Sequence, residues 1–236
     1  MSNRSIRSAA AIALALLVMG GAVVDVNVAR GDTIVTSGLR TRDIEFFGEK
    51  HTEMYGQTFT VGADNVLTSF AFDLAHRSGP STDFNFFVMA WDGDSASGPV
   101  LFQAGPYALT FTNPAYQTFT FNTGLLSLTS GQQYVAFVDS IRNDTDDQAI
   151  MAGTMNTYAG GEFVFLHGQG NSIESARMFE WQKNFVVLHG DTRFTATFTS
   201  AAVPLPAAAT AGFALMGIIA TKRARRRGAA MESAAA

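Results

Sequence analysis

Cysteine is absent from all 236 residues, so the chain has neither a disulfide nor a thiolate nucleophile. Its stability has to come from burial alone. The common catalytic signatures are missing too: there is no G-x-S-x-G elbow, no H-E-x-x-H and no P-loop. "HGQGNS" at His167 to Ser172 lacks the third glycine and the strand-to-helix setting of a dinucleotide fingerprint. The four histidines, His51, His76, His167 and His189, offer no pair at metal-ligand spacing on one short element. Positive charge is scarce in the middle of the chain: residues 32–200 hold 8 Lys and Arg against 18 Asp and Glu, a net of −10. Such a surface repels phosphate backbones and anionic lipid, which leaves a nucleic-acid partner without electrostatic support.

Long uncharged apolar runs occur only near the two ends. The first follows Arg4 and Arg7 and extends from Ser8 to Val24, "SAAAIALALLVMGGAVV", the charged and apolar regions of a secretory signal peptide. Residues 1–31 are therefore expected to direct export, with Ala22, Ala29 and Gly31 as alternative cut sites. Arg4 and Arg7 are not adjacent, so the general secretory route is expected over twin-arginine export.

Aromatic residues are plentiful in between. Of 20 phenylalanines, 19 lie between Asp32 and Ser200, enough apolar surface for one self-sufficient core without disulfides. From Gln57 the pattern has period two. In "NVLTSFAFDLAHRSG", Leu67, Ser69, Ala71 and Asp73 alternate with Thr68, Phe70, Phe72 and Leu74, and the face carrying Phe70, Phe72 and Leu74 is the expected core face. "DFNFFVMAW" from Asp83 to Trp91 is apolar for longer, as in a central strand covered on both faces, and ends in the turn-forming cluster "DGDSASGP". The stretch from Tyr116 to Ile141 divides into two strands with corners at Asn122 to Gly124 and at Ser130-Gly131, and Phe119 shares a face with Phe121. "RFTATFTS" puts Phe194, Ala196 and Phe198 on one side of a half-buried strand. Only "NSIESARMFEWQ" suggests a short helix or a bent crossing segment. "FVFL" and "FVVL", each followed by His-Gly, are too short an echo to make a repeat. About nine short strands without long helices predict an all-β domain over 32–200, an antiparallel sandwich of jelly-roll type.

Candidate sites within this domain each have a plainer alternative. Asp92 and Asp94, two apart in "WDGDSASG", are placed to give oxygen ligands to calcium, or simply to shape a hairpin loop; the glycine position and distal Glu of an EF-hand are missing. "RNDTDDQ" gathers Asp144, Asp146 and Asp147, again a calcium site or a solvated loop. Asn143-Asp144-Thr145 also fits a glycosylation sequon. Trp91, Tyr107 and Tyr116 are candidates for a sugar-stacking platform, with core packing as the alternative; Trp181 and Tyr158 belong to the same aromatic set. Glu174 and Glu180 would suit glycoside hydrolysis only if folding set them at a working separation. No catalytic residue is assigned.

The C-terminal segment reads "VPLPAAATAGFALMGIIATKRARRR". Pro204 and Pro206 end the last strand, and an uncharged run from Ala207 to Ala220 follows. Lys222, Arg223, Arg225, Arg226 and Arg227 come next, a basic cluster that holds its end of an apolar helix in the cytoplasm and places the acidic domain outside. A plain C-terminal anchor and a basic surface helix are the alternatives. The order of proline motif, apolar run and arginine-rich end, over 203–227 with a tail at 228–236, resembles the PEP-CTERM sorting signals of exported Gram-negative proteins in their VPLPA variant. The resemblance implies that an exosortase-type membrane protease recognises Val203, Pro204, Leu205 and Pro206. It further implies passage through the inner membrane, then delivery to the cell surface or the exopolysaccharide matrix, with an exopolysaccharide or surface glycan as partner. A structural or adhesive role is expected, with a calcium-assisted carbohydrate-binding module and then a glycan-cleaving enzyme as alternatives.

Overall fold

The computed structural model describes residues 31–36, 42–48, 50–110, 115–141, 146–155, 158–169, 172–183 and 190–201. Residues 1–30 of the expected signal segment 1–31, the sorting motif Val203 to Pro206, the basic cluster Lys222 to Arg227, Asp144 and His189 all lie outside them. Within them the chain is all-β, with twelve strands and one six-residue helix. The strands are β1 (Thr33–Val35), β2 (Arg42–Phe47), β3 (Thr52–Thr60), β4 (Val66–Ser78), β5 (Ser81–Trp91), β6 (Ala96–Thr110), β7 (Gln117–Ser127), β8 (Gln133–Ser140), β9 (Gln148–Gly153), β10 (Phe163–His167), β11 (Gln182–Lys183) and β12 (Phe194–Thr199). Helix α1 spans Ile173–Met178, between β10 and β11.

All strands belong to one hydrogen-bonded sheet, but that sheet folds into two layers. In the first layer β4 is central: β7 runs along one side, while β12 pairs with its first half and β9 with its second. β1 extends the layer beyond β12, and β2 extends it beyond β9. The second layer runs β6, β5, β8, β3, β10, β11. The layers are joined where Phe47 of β2 meets Thr52 of β3 in a parallel pairing, which makes the sheet mixed rather than wholly antiparallel as expected. Every other strand pairing is antiparallel.

Ring contacts between strands that share no hydrogen bonds define the interior. Phe86 of β5 stacks on Phe121 of β7 with centroids 3.9 Å apart, and Phe70 of β4 lies 5.9 Å from Phe86 and 5.5 Å from Phe59 of β3. Phe70, Phe72 and Leu74 face this core as alternation predicts, as do Phe194, Ala196 and Phe198 of β12. Leu67 does not follow the expected parity and is fully buried. Between Leu67 and Ser69 the pairing with β7 shifts, so that Thr68 faces the three residues 123–125; such a bulge resets the period-two pattern. Gly124 and Leu125 in this corner both take positive φ, which is where the sequence placed a break.

The strand count exceeds the nine expected, and β4 and β6 are longer than "short strands" implies, at 13 and 15 residues. Bulges let both continue past places where the alternation fails. Pro99 and Pro106 stand in β6 because it is an edge strand, paired with β5 alone, where a missing N–H donor is tolerated. Of the "FVFL" and "FVVL" pair, the first forms β10 and the second falls outside the described residues.

β5 is covered on both faces, as its sequence suggests. Phe84, Phe86 and Val88 join the core between the layers, whereas Phe87, Met89 and Trp91 point to the outer side of the second layer. There they meet Met54, Val135, Phe137, Val164 and Leu166, with Ala176 of α1 and Trp181 laid over them as a cap. Gly56 belongs to the same outer face: a Cβ there would stand 3.0 Å from Phe137 Cβ and 3.1 Å from Val135 Cγ2. Among the described residues no helix is long and apolar enough to cross a membrane.

Candidate functional site

The corner where β5 turns into β6 brings Trp91, Asp92 and Asp94 together with Trp181 and Lys183. Asp92 builds the turn. Its Oδ1 accepts the backbone N–H groups of Asp94 (3.0 Å) and Ser95 (2.8 Å), and its Oδ2 accepts the Ser95 hydroxyl (3.1 Å). The Asp94 N–H, then that of Ser95, lower the Asp92 pKa from its ordinary value. Asp94 is tied down from outside: Trp181 N–H donates to its carbonyl (2.8 Å), and Lys183 Nζ lies 3.1 Å from its Oδ1. Lys183 also donates to the Gly93 carbonyl, lies 3.9 Å from Glu162 and sits 5.9 Å over the Trp91 ring.

Trp91 is 8% exposed and Trp181 1%. Their rings meet edge-to-face at 6.0 Å, and Trp181 in turn packs on Phe137 at 5.2 Å while its Nε1–H donates to the Ala176 carbonyl (2.9 Å). Of the two readings of Trp91, a sugar platform or a core residue, its surroundings match the core residue. Beside it, Glu180, Trp181, Gln182 and Lys183 line a polar surface depression of 390 Å³. Glu174, exposed in the first turn of α1, does not line this depression with Glu180.

The other acidic stretch lies at the opposite end of β5. Ile141 N–H donates to the Asp83 carbonyl (2.7 Å) near the start of that strand, whereas Asp92 follows its last residue. Eight residues of extended chain between them span about 26 Å at ~3.3 Å each, so the two candidate calcium loops do not form one site. Asp146 pairs with His51 Nε2 at 3.0 Å, and Gln148 Nε2 approaches the same ring nitrogen at 2.8 Å. Asp147 is buried against Gly79: a Cβ at this positive-φ glycine would fall 1.7 Å from Asp147 Oδ1. His76, also buried, has its pKa lowered by desolvation, against the opposing pull of Asp147. Among the described residues no group of three or more His, Asp or Glu gathers as a cation would need.

The two tyrosines separate as well. Tyr107 stacks on Phe84 at 5.6 Å and meets Phe121 at 5.3 Å, so its ring serves the interior. Tyr116 is half-buried and donates to Asp43 Oδ1; burial first, then Asp43, raises its pKa. On the outer face of the first layer Asp73 accepts from Thr118 Oγ1 at 2.5 Å and pairs with Arg193 Nε at 2.9 Å.

Three features escaped the sequence reading. Gln57, fully buried, receives Thr192 N–H on Oε1 (2.8 Å) and donates from Nε2 to Asp191 Oδ1 (2.9 Å), fixing the 190–192 turn. Lys183 gave no pattern because its partners are 89 and 90 residues away. Asp139 did carry a signal: in "YVAFVDS" it continues the outward parity of Val135 and Phe137, an acidic residue where an apolar one is expected.

No known protein family matches the chain, and no curated protein sequence does. Among solved structures it is similar to the cysteine protease and lectin-like domains of Cwp84, a surface layer associated protein of Clostridium difficile, at 10% identity and a TM-score of 0.43. The match covers 64% of this chain and 32% of that one, so the chain spans about a third of that neighbour's length.

Proposed function

We propose that the chain is an exported β-sandwich of jelly-roll type, delivered by its Val203 to Arg227 segment to the cell surface or exopolysaccharide matrix. There it has a structural or adhesive role rather than a catalytic one. The observation that carries the reading is where the domain begins and ends. β1 and β12 are antiparallel neighbours, with Thr33 opposite Thr197, and Phe198 N–H donates to the Asp32 carbonyl at 2.8 Å. The chain thus enters and leaves the sandwich at one corner. An N-terminal export signal and a C-terminal sorting signal are both handled at a membrane, and this arrangement puts both attachments on one side of a domain that can fold undisturbed. The −10 charge of residues 32–200 keeps that domain off anionic lipid while both ends are processed.

The test is the intact mass of protein recovered from outside the cell, with and without the double change Pro204→Ala and Pro206→Ala. Unchanged protein should end near Val203 to Ala207, and the double variant should keep Lys222 to Arg227. Unchanged protein that retains the basic cluster would make the segment a plain anchor and sink the sorting reading.

A carbohydrate-binding role is the second reading, favoured by the half-buried Tyr116 beside Asp43, with Asp73, Thr118 and Arg193 on the outer face of the first layer. An aromatic face beside carboxylate and guanidinium groups suits a sugar ring and its hydroxyls. Tyr116→Ala should then lower retention on matrix polysaccharide while Trp91→Phe leaves it unchanged.

A further inference from the structure

Two edge strands of this acidic domain carry no charge. No Asp, Glu, Lys, Arg or His occurs between Asp94 and Asp139, a stretch that includes all of β6 and β7. Among the described residues each has one hydrogen-bonded neighbour, β5 for β6 and β4 for β7, so each presents a free edge. Both edges lie on the same side of the sandwich, where the Tyr107 ring of β6 meets Phe119 and Phe121 of β7 at 6.2 and 5.3 Å. Only β6 is guarded. Pro99 and Pro106 interrupt its donors, and two bulges break its line: residues 98–101 stand against Met89 alone, and 105–106 against Asn85. β7 has neither device from Gln117 to Asn122, where "QTFTFN" pairs with Leu74 to Ser69 without a register shift.

Which backbone groups of β7 are free follows from the strands beyond it. Thr36 N–H donates to the Phe194 carbonyl (3.0 Å), so Phe194 in β12 turns its backbone groups toward β1, and Thr195 turns its own toward β4. The alternation carries across the layer. Ala71, opposite Thr195, faces β12, so its neighbours Phe70 and Phe72 face β7, where they meet Phe121 and Phe119. Thr118, Thr120 and Asn122 therefore direct their N–H and C=O groups away from β4, and all three are exposed. Such a row of unpaired donors and acceptors fits one kind of partner, another extended strand.

We propose that this edge is a self-association surface: β7 of one copy pairs antiparallel with β7 of a second, and the two first layers become one continuous sheet. A two-fold axis through Thr120 sets Thr120 opposite its own copy and Thr118 opposite Asn122, which pairs every free group of the stretch in about six N–H···O bonds. Charge selects the partner. Residues 32–200 carry −10, so a second copy is repelled at most approaches and meets no like charge on this edge. Asp73, one strand inward on β4, is already paired with Arg193 at 2.9 Å. The other free edges are less suited: β1 and β11 have three and two residues, and the open part of β2 carries Arg42, Asp43 and Glu45. Leu125, 65% exposed beside the stretch, adds apolar area to the contact. None of this depends on the route by which the chain leaves the cell.

The chain has no cysteine, so a single introduced thiol reports the pairing. Residues directly opposite in such a pair have Cα atoms about 5.5 Å apart, inside the span of about 4.4–6.8 Å that a disulfide bridges. Cells expressing the full chain are oxidised with copper phenanthroline, and the same protein is purified, with whatever ends it then carries, for sedimentation velocity. Unchanged protein should sediment as a dimer at micromolar concentration. Thr120→Cys should cross-link to itself, whereas Thr118→Cys should cross-link only when expressed together with Asn122→Cys. Thr120→Pro removes two edge donors at once through the symmetry and should weaken the dimer at least about ten-fold, with the far-UV circular dichroism unchanged. Thr120→Lys, which leaves the backbone intact and sets two like charges opposite one another, should weaken it too and serves if the proline variant does not fold. A monomer at every concentration would overturn the proposal and leave the edge to a strand of another protein. So would a dimer that survives both Thr120 variants, or Thr118→Cys cross-linking alone as well as it does with Asn122→Cys, since the copies would then meet elsewhere.

Discussion

The described residues form two hydrophobic cores, and they are built on different principles. The one between the layers draws side chains from nearly every strand, and its aromatic rings touch one another across the gap: Phe70, Phe72, Phe86, Phe121 and Phe194 form a continuous set. The one on the outer face of the second layer is one-sided. It exists because β3, β5 and β8 are apolar on both faces, and it is closed by a six-residue helix with Trp181. A helix of that length has no stability of its own, so it stays in place through what it covers and what ties down its ends. The first core makes the fold; the second is an attachment to it, and attachments are where a protein can move without unfolding.

Removing one large ring from each core sharpens this contrast most. Phe86→Ala deletes a ring stacked at 3.9 Å on Phe121 and in contact with Phe70, Phe72 and Phe102. It should cost about 3–5 kcal/mol in a denaturant titration, with all probes reporting one shifted transition. Trp181→Ala should cost about 3 kcal/mol, at the low end of that range, because the cap can lift away from the hole it leaves. The distinguishing readout is hydrogen exchange: amides of α1 should lose protection while those of β4 and β8 keep theirs. Equal loss across both layers would show that the second core is part of the cooperative unit after all.

How far each core was legible follows from the same contrast. Alternation in β4 and β12 assigned Phe70, Phe72, Leu74, Phe194 and Phe198 to the interior, because a strand with one buried face writes that face into every second residue. The unbroken apolar run of β5 also announced that its other face was covered. What covers it was not readable. Trp91 was a candidate platform because it ends an apolar strand beside an acidic loop, and only the return of the chain at Trp181 and Lys183 decides between platform and core. Bulges were invisible for a similar reason. The extra residue at Glu53 and the shift after Leu67 are relations between two strands, and neither strand records them alone. The acidic pairs at Asp92/Asp94 and Asp146/Asp147 were visible, but not their engagement with Lys183, His51 and the turn's own N–H groups.

The two cores should also respond differently to pH. Asp139, at the edge of the second, keeps its proton up to about 8, well above its ordinary value of 3.8, so between those limits the unfolded chain releases a proton that the folded one retains. Its contribution to stability therefore falls as pH rises through this window and levels off above 8. The slope attributable to this group is about 1.4 kcal/mol per pH unit. Between pH 6 and pH 7 the unchanged protein should lose roughly that much more stability than Asp139→Asn does. The first core contributes nothing to this slope, so Phe86→Ala should lower the whole curve without tilting it. Identical slopes with and without Asp139 would show that burial does not hold its proton in the folded chain.

The smallest effect is expected at the outer lock of the second core. Lys183 bonds the Gly93 carbonyl, pairs with Asp94 and lies over Trp91, and on paper these contacts clamp the hairpin to the cap. Yet the Asp94 side chain is 71% exposed, and an ion pair so open to water is worth under about 1 kcal/mol once screening and side-chain entropy are counted. The contact with the Trp91 ring adds about 0.5–1 kcal/mol of the same screened kind. Lys183→Met keeps the aliphatic stem against the indole and removes only the charge. It should therefore cost about 1 kcal/mol at low salt and less at high salt, with Trp181 emission unmoved. A loss above about 2 kcal/mol that salt does not diminish would mean that the hairpin clamp, and not the burial of Trp181, holds the second core closed.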